Sequence, residues 1–352
     1  MKKVNLAIVG YGGMGSYHGD VIETLENYSI TGIYDTDETR YAEAERRGIK
    51  NWNAFRSKEA IAADKGTDAV LIATPNDVHL PYVKYFAAAG KNIICEKPVA
   101  LTSGEYAEML QTCREHGVTF MVHQNRRWDR DFLTVKNIYE QNLLGKLWRV
   151  ESRVQGSNGI PGDWRKFKET GGGMMLDWGV HLIDQFVYMI DELPESVYAD
   201  YSYDLGFEVD DAFKLQLRYK SGLRAEITVD TNCFCPLPRW MVYGADGTAV
   251  IKNWEIEGEI VKPVYAKDMK IAGITAGNGF TRTMAYRSAE SIKREALPVP
   301  PAPDKPFYRE FYEVSVNGKE PLIRPEQVMA VMKIMEAAKL SSDTGEVVKV
   351  KY

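Results

Sequence analysis

The chain has 352 residues, more than the roughly 250 to 300 at which a single hydrophobic core stops growing, so we expect two domains. Its composition, with 45% hydrophobic and 26% charged residues, is that of an ordinary globular protein. A formal net charge of -5 gives no support to a nucleic-acid-binding protein or to one that binds membrane surfaces.

The first residues, MKKVNLAIVGYGG, place two lysines before a short apolar run that ends in glycines and not at a cleavage site. We interpret this run as a first β-strand and not as a signal peptide. No apolar stretch approaches the ~18 to 20 residues that cross a bilayer, so a soluble, cytoplasmic protein is expected. The few, scattered cysteines fit a reducing compartment, and Cys233 and Cys235 have the wrong spacing for a metal knuckle, so no metal site is predicted.

Apolar runs alternate with amphipathic segments from about residue 4 to residue 124. The runs are VNLAIV, ITGIYD, AVLIATP, KNIICEKP and TFMVHQ, and helices are expected at about 14–26, 38–47, 80–89 and 104–116. Continuous apolar strands between helices are typical of a parallel sheet that is buried on both faces. The sequence therefore predicts a doubly wound α/β Rossmann domain over residues 1–124.

A change of period marks the second predicted domain, residues 125–352. Residues 128–143 have a helical spacing of apolar positions with Gly145 as a stop, and the following segments alternate apolar with polar residues. This pattern predicts an α+β domain with a large, mostly antiparallel open-faced sheet. The proline-rich segment 298–306 is predicted to be an extended surface arm, and residues 325–341 the last helix.

The first strand runs directly into Gly10-Tyr11-Gly12-Gly13-Met14-Gly15, a GxGxxG motif with a strand before it and a helix after it. The first glycine permits the tight turn, the second lets the main chain approach a pyrophosphate, and the third allows close helix packing. The helix N-terminus offers N–H donors and a partial positive charge to an anion. The predicted dinucleotide-binding residues are Gly10, Gly12, Gly13, Met14 and Gly15.

Asp35 ends the second apolar run, about twenty residues after Gly15. A carboxylate at this point accepts hydrogen bonds from the ribose hydroxyls of NAD and repels the 2'-phosphate of NADP. Because Thr36 and Asp37 follow, and not Ser and Arg, NAD is favoured over NADP. The alternative is that Asp35 is a solvated residue of a turn at the end of the strand.

Two further segments follow buried strands, at the edge of the sheet where ligands collect. The first, ATPNDVH, contains Thr74, Asn76 and His79 and also has the composition of a turn that caps the next helix. The second, EKP, contains Glu96 and Lys97, and its lysine either reaches solvent or points into the cleft over a nicotinamide. We predict that these five residues bind the cofactor.

The segment GGGMMLDWGVHLID, residues 171–184, carries the candidate chemistry of the second domain. If a helix begins near Met174, then Asp177, His181 and Asp184 share one face. A carboxylate beside an imidazole raises the proton affinity of the imidazole, as a base that accepts a hydroxyl proton near neutral pH requires. A buried structural His–Asp pair and a metal pair are the alternatives.

In this order, GYGGMG, Asp35, TPNDVH, EKP and DWGVHLID resemble the Gfo/Idh/MocA family, which includes glucose-fructose oxidoreductase and inositol 2-dehydrogenases. The resemblance covers nearly the whole chain, and its most specific part is EKP followed about 80 residues later by DxGxHxxD. It implies a Rossmann domain joined to an open-faced sheet whose flat face packs in a homodimer or homotetramer. His18 matches a common family position, which we interpret as orienting the glycine loop.

The resemblance implies an NAD-dependent dehydrogenase that reversibly oxidises a secondary hydroxyl of a sugar, glycoside or cyclitol such as inositol. His181 would take the hydroxyl proton, Lys97 would stabilise the developing alkoxide, and Asp177 would orient the substrate or His181. These three are the predicted catalytic residues. The predicted substrate-binding residues are Lys97, Arg126, Arg127, Trp164, Asp177 and His181.

Several of these substrate contacts have alternatives. One of Arg126 and Arg127 is expected to hydrogen-bond the substrate, and the other to be a surface charge at a helix start. Trp164 is either a platform for a sugar face or an ordinary packing residue. The region 277–294, with Arg282 and Arg287, could tune selectivity from a neighbouring subunit.

Two rival functions stay open. The first is a glycosidase that keeps NAD bound, oxidises a sugar transiently, eliminates the glycosidic group and reduces the product again with the same residues. The second is a non-catalytic dinucleotide-binding protein. Release of NADH on turnover distinguishes the dehydrogenase from both.

Overall fold

The computed structural model describes residues 2–264, 272–281 and 284–352. The first part of the chain alternates strands and helices: β1 (Val4–Val9), α1 (Gly13–Ile22), β2 (Tyr28–Tyr34), α2 (Thr39–Arg46), β3 (Asn53–Ala54), α3 (Lys58–Ala63), β4 (Ala69–Ile72), α4 (His79–Ala88), β5 (Asn92–Cys95), α5 (Ser103–Glu115) and β6 (Phe120–Val122). The six strands form one parallel sheet in the order β3-β2-β1-β4-β5-β6. The predicted Rossmann fold is confirmed.

The rest of the chain forms a larger sheet with helices on one face. Its elements are α6 (Arg130–Glu140), β7 (Leu147–Gln155), α7 (Val180–Met189), β8 (Ser196–Ser202), β9 (Ala212–Arg218), β10 (Arg224–Asp230), β11 (Trp240–Gly244), β12 (Gly247–Ile251), β13 (Gly258–Pro263), β14 (Ile274–Ala276), β15 (Gly279–Thr281), β16 (Ile292–Glu295), α8 (Pro306–Asn317), α9 (Pro325–Thr344) and β17 (Val348–Lys349). Nine strands follow the order β16-β13-β12-β11-β7-β10-β9-β8-β17, while β14 and β15 pair separately. Over the described ranges, β7 and β10 make the one parallel pair of the nine-stranded sheet.

Strand β9 shows why one face of this sheet is covered and the other is open. Its inward residues Phe213, Leu215 and Leu217 are buried in one core with residues of α6, α7 and α9, and each contributes about 1.5–3 kcal/mol by leaving water. The residues between them, Lys214 and Gln216, are exposed on the other face. The predicted open-faced sheet is confirmed.

The proline-rich segment before α8 lies along the surface of α6. Asn137 Nδ2 donates to the Pro298 carbonyl at 3.0 Å, and Arg130 Nε donates to the Pro300 carbonyl at 3.2 Å. The prediction of an extended arm is wrong at its last residue, because Pro306 begins α8. Proline is suited to a first helical position, where its fixed φ is helical and its missing N–H would have no partner.

Helix α8 packs in the core of the parallel sheet and not in that of the second domain. Phe307, Tyr308 and Phe311 are buried among side chains of the Rossmann domain, and the Tyr28 hydroxyl donates to the Tyr308 carbonyl at 2.6 Å. The predicted division at residue 124 assigned α8 to the second domain, whereas in the structure α8 belongs to the core of the Rossmann domain. The chain thus returns to its first core near its end.

None of the helices in the described ranges combines the length and the apolar character that crossing a membrane requires. All four cysteines are free thiols, with Cys95 and Cys113 buried.

Candidate active site

The glycine loop after β1 leaves room for a ligand on one side only. Gly10 has a φ of +86°, and a Cβ there would lie 2.7 Å from the Ala73 carbonyl oxygen. A Cβ at Gly15 would lie 2.0 Å from the Gly10 carbonyl oxygen, so both positions require glycine for close packing. At Gly12 and Gly13 a Cβ would meet nothing within 4 Å, because these residues face open space at the start of α1. The loop therefore fits a pyrophosphate at a helix N-terminus.

A cleft of about 510 Å³ runs from this loop to the second domain. At its far end it is lined by Trp164, Arg165 and Asp177. Gly15 and His79 are absent from its walls. The predicted cofactor residues that it brings together are Gly10, Gly12, Gly13, Met14, Asp35, Thr74, Asn76, Glu96 and Lys97.

Asp35 faces the cleft at the end of β2, held by the backbone. Its Oδ2 accepts a hydrogen bond from the Tyr11 N–H at 2.6 Å, and its Oδ1 accepts one from the Asp37 N–H at 2.9 Å. Arg40 lines the same end of the cleft and pairs with Asp37 at 3.4 Å. A carboxylate fixed in this way can still accept from ribose hydroxyls through its remaining lone pairs.

The ATPNDVH segment divides into residues that reach the cleft and one that does not. The Thr74 hydroxyl is buried and has no hydrogen-bond partner within the part of the chain that the structure describes, so it can serve a ligand. The Asn76 amide donates to the Gly171 carbonyl at 2.8 Å and so joins the two domains. His79 is fully buried, with its ring nitrogens 3.0 Å from the Pro98 carbonyl and 3.1 Å from the Thr74 carbonyl. The prediction that His79 binds the cofactor is therefore wrong: it braces two loops.

Glu96 is the centre of a buried hydrogen-bond network behind Lys97. Nε2 of His18 and Nδ1 of His123 each lie 2.7 Å from its Oε1, and its Oε2 accepts from the Lys97 N–H at 3.1 Å. The other ring nitrogen of His18 bonds the Tyr308 hydroxyl of α8. Burial would raise the pKa of Glu96, but the two imidazoles hold it well below its usual range. The ionised carboxylate thus fixes the backbone that carries Lys97.

The side chains of His18, Glu96 and His123 have potential ligand atoms within 4.8 Å of one another, a spacing compatible with a metal ion. Burial, and then the charge of His123, lowers the pKa of His18 to about 4, so its imidazole is neutral. Each of the three is already used in the network. Hydrogen bonding accounts for the cluster without an ion.

Lys97 reaches from the Rossmann domain to the candidate motif of the second domain. Its Nζ donates to Oδ1 of Asp177 at 3.0 Å and to the Asp177 carbonyl at 2.8 Å. Nε of Arg165 lies 3.4 Å from the same Oδ1. Burial would raise the pKa of Asp177, but the Lys97 and Arg165 cations lower it below its ordinary value. Asp177 is therefore a carboxylate between two cations.

The predicted single face of Asp177, His181 and Asp184 is not what forms. Residues Met175–Gly179 make a π-helical turn before α7, and a π turn has more than the 3.6 residues of an α turn. Asp177 is thereby directed to Lys97, while Asp184 is used elsewhere. The i, i+4 argument is wrong because it assumed α-helical geometry from Met174.

His181 lies buried in the second domain, near the cations of the site. It is 4% exposed, its Nδ1 has no hydrogen-bond partner among the described residues, and its ring lies 6.3 Å from that of Trp178. Burial, and then the charges of Lys97 and Arg126, lowers its pKa well below the ordinary value. The expectation that a neighbouring carboxylate raises its proton affinity is wrong, because burial and the charges of Lys97 and Arg126 outweigh the effect of Glu96. His181 is a neutral base.

The two neighbouring arginines have different roles. Arg127 is buried and bonds Asp184 through two 2.7 Å hydrogen bonds, so it is neither a substrate ligand nor a surface charge, and this prediction is corrected. Arg126 lies 4.2 Å from the centre of the Trp178 ring and pairs with Asp129 at 2.8 Å. Arg126 is the arginine that remains at the site.

Sequence reasoning missed several residues that surround the site. Trp178 is inside the quoted DWGVHLID motif but has no spacing that would distinguish it from a packing residue. Trp254 lies in the turn between β12 and β13, and His123 follows β6; nothing in their local sequence indicated a role. Of the arginines suggested to tune selectivity, Arg282 lies outside the described residues.

Comparison with known proteins gives two family matches. Residues 4–124 match the Gfo/Idh/MocA family model described as oxidoreductase family, NAD-binding Rossmann fold, and residues 132–250 match the Gfo/Idh/MocA C-terminal domain. Together the two matches cover most of the chain, including the whole six-stranded sheet and strands β7 to β11 of the nine-stranded sheet.

Individual relatives span from 73% to 99% of this chain. The fold is similar to that of an NAD-binding protein from Listeria innocua, which is 44% identical over 99% of this chain and 100% of its own, with a TM-score of 0.94. A scyllo-inositol 2-dehydrogenase (NADP+) of Bacillus subtilis is 26% identical over 96% of this chain and 94% of its own. A 2,7-anhydro-N-acetylneuraminate hydratase of Escherichia coli is 26% identical over 73% of this chain and 70% of its own.

Proposed function

The chain belongs to the Gfo/Idh/MocA family of NAD-binding oxidoreductases, and on this basis we propose that it reversibly oxidises a secondary hydroxyl of a sugar, glycoside or cyclitol to a ketone. The observation that carries the proposal is the contact between Lys97 and Asp177 at the far end of the cofactor cleft, with the His181 imidazole near enough for the charge of Lys97 to lower its pKa. A cation, a carboxylate and a neutral imidazole are the groups that removal of a hydroxyl proton and a hydride requires. The inositol 2-dehydrogenase among the relatives supports the substrate class.

The roles of the three residues follow from their electrostatics. NAD, when bound, supplies a hydride acceptor. His181 is neutral and so takes the hydroxyl proton through a ring nitrogen. Lys97 places its positive charge where the alkoxide develops, and Asp177 fixes the lysine by accepting from its Nζ.

The gathered cofactor residues support NAD over NADP in this proposal. Asp35 and Asp37 put two carboxylates at the ribose end of the cleft, against one cation, Arg40. A 2'-phosphate there would be repelled by the net negative charge. One relative nevertheless uses NADP, so the proposal names a preference of this chain's own residues.

The proposal is tested with a panel of inositols, aldohexoses, methyl glycosides and acyclic polyols, each incubated with the protein and NAD. Formation of NADH with at least one polyol is expected, and a second measurement of the ketone product establishes the stoichiometry. NAD binding without NADH formation from any polyol would contradict the dehydrogenase and favour a non-catalytic protein.

An alternative function uses the same residues without net oxidation. The hydratase among the relatives favours this alternative, since the name of that relative describes an activity other than dehydrogenation. Here Lys97 and His181 would serve a transient oxidation followed by elimination and reduction. Conversion of a glycoside with no NADH released distinguishes this alternative from the dehydrogenase.

The proposal extends to assembly and location. The open face of the nine-stranded sheet, on which Lys214 and Gln216 lie exposed, is the surface through which we expect a homodimer or homotetramer. Four free cysteines fit a reducing cytoplasm. Size-exclusion chromatography with light scattering measures the subunit number.

A further inference from the structure

Two tryptophans and an arginine from distant segments meet, and one of the tryptophans, Trp178, lies beside His181. The Arg126 guanidinium carbon lies 4.2 Å from the centre of the Trp178 ring and 5.7 Å from that of Trp254, and the two rings are 6.1 Å apart. Arg126 follows β6, Trp178 belongs to the π-helical turn, and Trp254 lies between β12 and β13. We call Trp178, Arg126 and Trp254 the indole wall.

A buried arginine, Arg239, supports the indole wall from the protein interior. The guanidinium carbon of Arg239 lies 4.7 Å from the ring centre of Trp254 and equally far from that of Trp240. Arg239 is 3% exposed and donates to the Ser152 hydroxyl at 2.7 Å. Cation–π contacts of this kind are stronger when desolvated. Arg239 therefore holds the Trp254 side chain in place, although Trp254 lies in a turn.

Within the indole wall, Trp254 is the residue that is most accessible to a ligand. Trp254 is a large aromatic residue that is nevertheless 46% exposed, and Trp178 is half-buried. The Trp178 ring is 6.3 Å from the ring of His181, and the charge of Arg126 acts on the same imidazole. A molecule that presents a hydroxyl to His181 would thus meet the indole wall with its adjacent atoms.

The chemistry of the indole wall favours a ligand with a saturated ring. Indole faces provide a broad apolar surface with a negative quadrupole, which suits the polarised C–H groups on the face of a saturated ring. Ligand-binding sites combine such apolar surfaces with a few polar groups that fix the orientation of the ligand, and here the Arg126 guanidinium supplies the polar groups. A six-membered polyol ring offers a flat C–H face of this size, whereas an open-chain polyol has to lose its free rotations to present one.

We infer that the indole wall holds the ring of a cyclic polyol against His181 and that Trp254 is a specificity-determining residue, which favours pyranoses and cyclitols over acyclic polyols. This inference rests on the proposed function, whose substrate class it narrows. It replaces Trp164, which lines the cofactor cleft, as the aromatic platform of the substrate.

The test compares Trp254→Ala with Trp254→Phe and with the control Trp148→Ala. Trp148, on β7, is 51% exposed and belongs to no part of the site. For each protein, KM and kcat are measured with NAD and myo-inositol or methyl glucoside, and with sorbitol as the acyclic polyol. Thermal unfolding and the Kd for NAD establish that each variant is folded and binds the cofactor.

For the cyclic substrate, Trp254→Ala is expected to raise KM by about 2- to 13-fold, the factor that an aromatic contact of ~0.5–1.5 kcal/mol gives, with kcat within about twofold. Trp254→Phe should restore much of the affinity, and Trp148→Ala should leave KM unchanged. For sorbitol, KM should not respond to Trp254→Ala. An equal response with both substrates, no response with either, or a wild-type preference for sorbitol would overturn the inference.

A failure of the proposed function is recognised separately. If no polyol yields NADH, calorimetric titration of myo-inositol and methyl glucoside into the NAD-loaded protein decides the matter. Binding that weakens by the same factor in Trp254→Ala retains the indole wall as a binding site for a cyclic polyol. No binding of either ring compound to the wild-type protein rejects it.

Discussion

The ammonium group of Lys97 lies 3.0 Å from Oδ1 of Asp177 and 2.8 Å from the backbone carbonyl of the same residue. This contact joins the end of β5 in one domain to the π-helical turn of the other. The proposed active site therefore exists only where the two domains meet.

Replacement of Lys97 by methionine tests the role of this cation. We expect kcat to fall by about 10²- to 10³-fold, because the developing alkoxide loses its electrostatic partner, while the Kd for NAD changes little. The matched control is Lys84→Met, since Lys84 pairs with Glu108 on the surface of α4. Steady-state kinetics and NAD titration measure both. A kcat within threefold of wild type would remove Lys97 from the chemistry.

The lowered pKa of His181 predicts an unusual pH profile. A base with the ordinary histidine pKa of 6.5 would lose activity as the pH falls through that value. Because the pKa of His181 is well below it, kcat/KM should stay level from about pH 8 to about pH 6. His181→Asn should lower kcat by about 10²- to 10⁴-fold, whereas His116→Asn, at an exposed position, should not. A wild-type loss centred near the ordinary pKa would contradict the assignment.

Asp35→Ser tests the preference for NAD. Removing the carboxylate relieves its repulsion of a 2'-phosphate and withdraws an acceptor from the ribose hydroxyls. We expect the ratio of kcat/KM for NADP to that for NAD to rise by at least about tenfold, the factor that ~1.4 kcal/mol gives. Asp20→Ser, an exposed position on α1, is the control. An unchanged ratio would mean that another group discriminates between the cofactors.

The buried pair of Arg127 and Asp184 predicts a loss of stability and not of chemistry. Asp184→Ala leaves the guanidinium without its carboxylate in the interior, which costs about 3–5 kcal/mol of unfolding free energy. Urea unfolding measures this loss, and Asp204→Ala, at an exposed position in the turn after β8, should change stability by less than about 0.5 kcal/mol. If Asp184→Ala kept full stability but lost substrate affinity, Arg127 would be a substrate ligand after all.

Asp210 gives a stability prediction with a definite sign. Burial raises the pKa of this carboxyl from 3.8 to about 6, although its Oδ2 accepts from the Met175 N–H at 2.7 Å. The folded state therefore holds its proton more tightly than the unfolded state, and stability is lost as the pH rises through 6. At pH 8 the cost is up to about 3 kcal/mol, which Asp210→Asn should remove. Denaturation should show a gain for Asp210→Asn that is larger at pH 8 than at pH 5. An equal effect at both pH values would contradict this origin.

The parts of the fold that the sequence could predict are those that local chemistry dictates. Strands buried on both faces have to be apolar throughout, so β1, β4 and β5 were recognisable as continuous runs. The turn at Gly10 needs a positive φ and a close approach to Ala73, which only glycine provides. Lys97 and Asp177 were named as partners in one site through family resemblance, because they are 80 positions apart.

The parts that could not be predicted depend on partners distant in sequence. Arg126 and Arg127 are adjacent and chemically identical, and the difference between them is that Asp184 captures one while Trp178 stacks on the other. The π-helical turn moved Asp177 away from the face that α-helical spacing assigned to it. Trp254 had no local pattern at all.

Helix α8 shows that the nucleotide-binding half of the molecule is encoded in two separate lengths of the gene. A fragment ending at residue 124 would lack Phe307, Tyr308 and Phe311 and would expose the apolar surface that they cover. It would also lose the tyrosine that bonds His18. An engineer who wishes to exchange cofactor specificity between relatives by transplanting whole modules would need to carry both segments together, and a single crossover would join mismatched halves of one core.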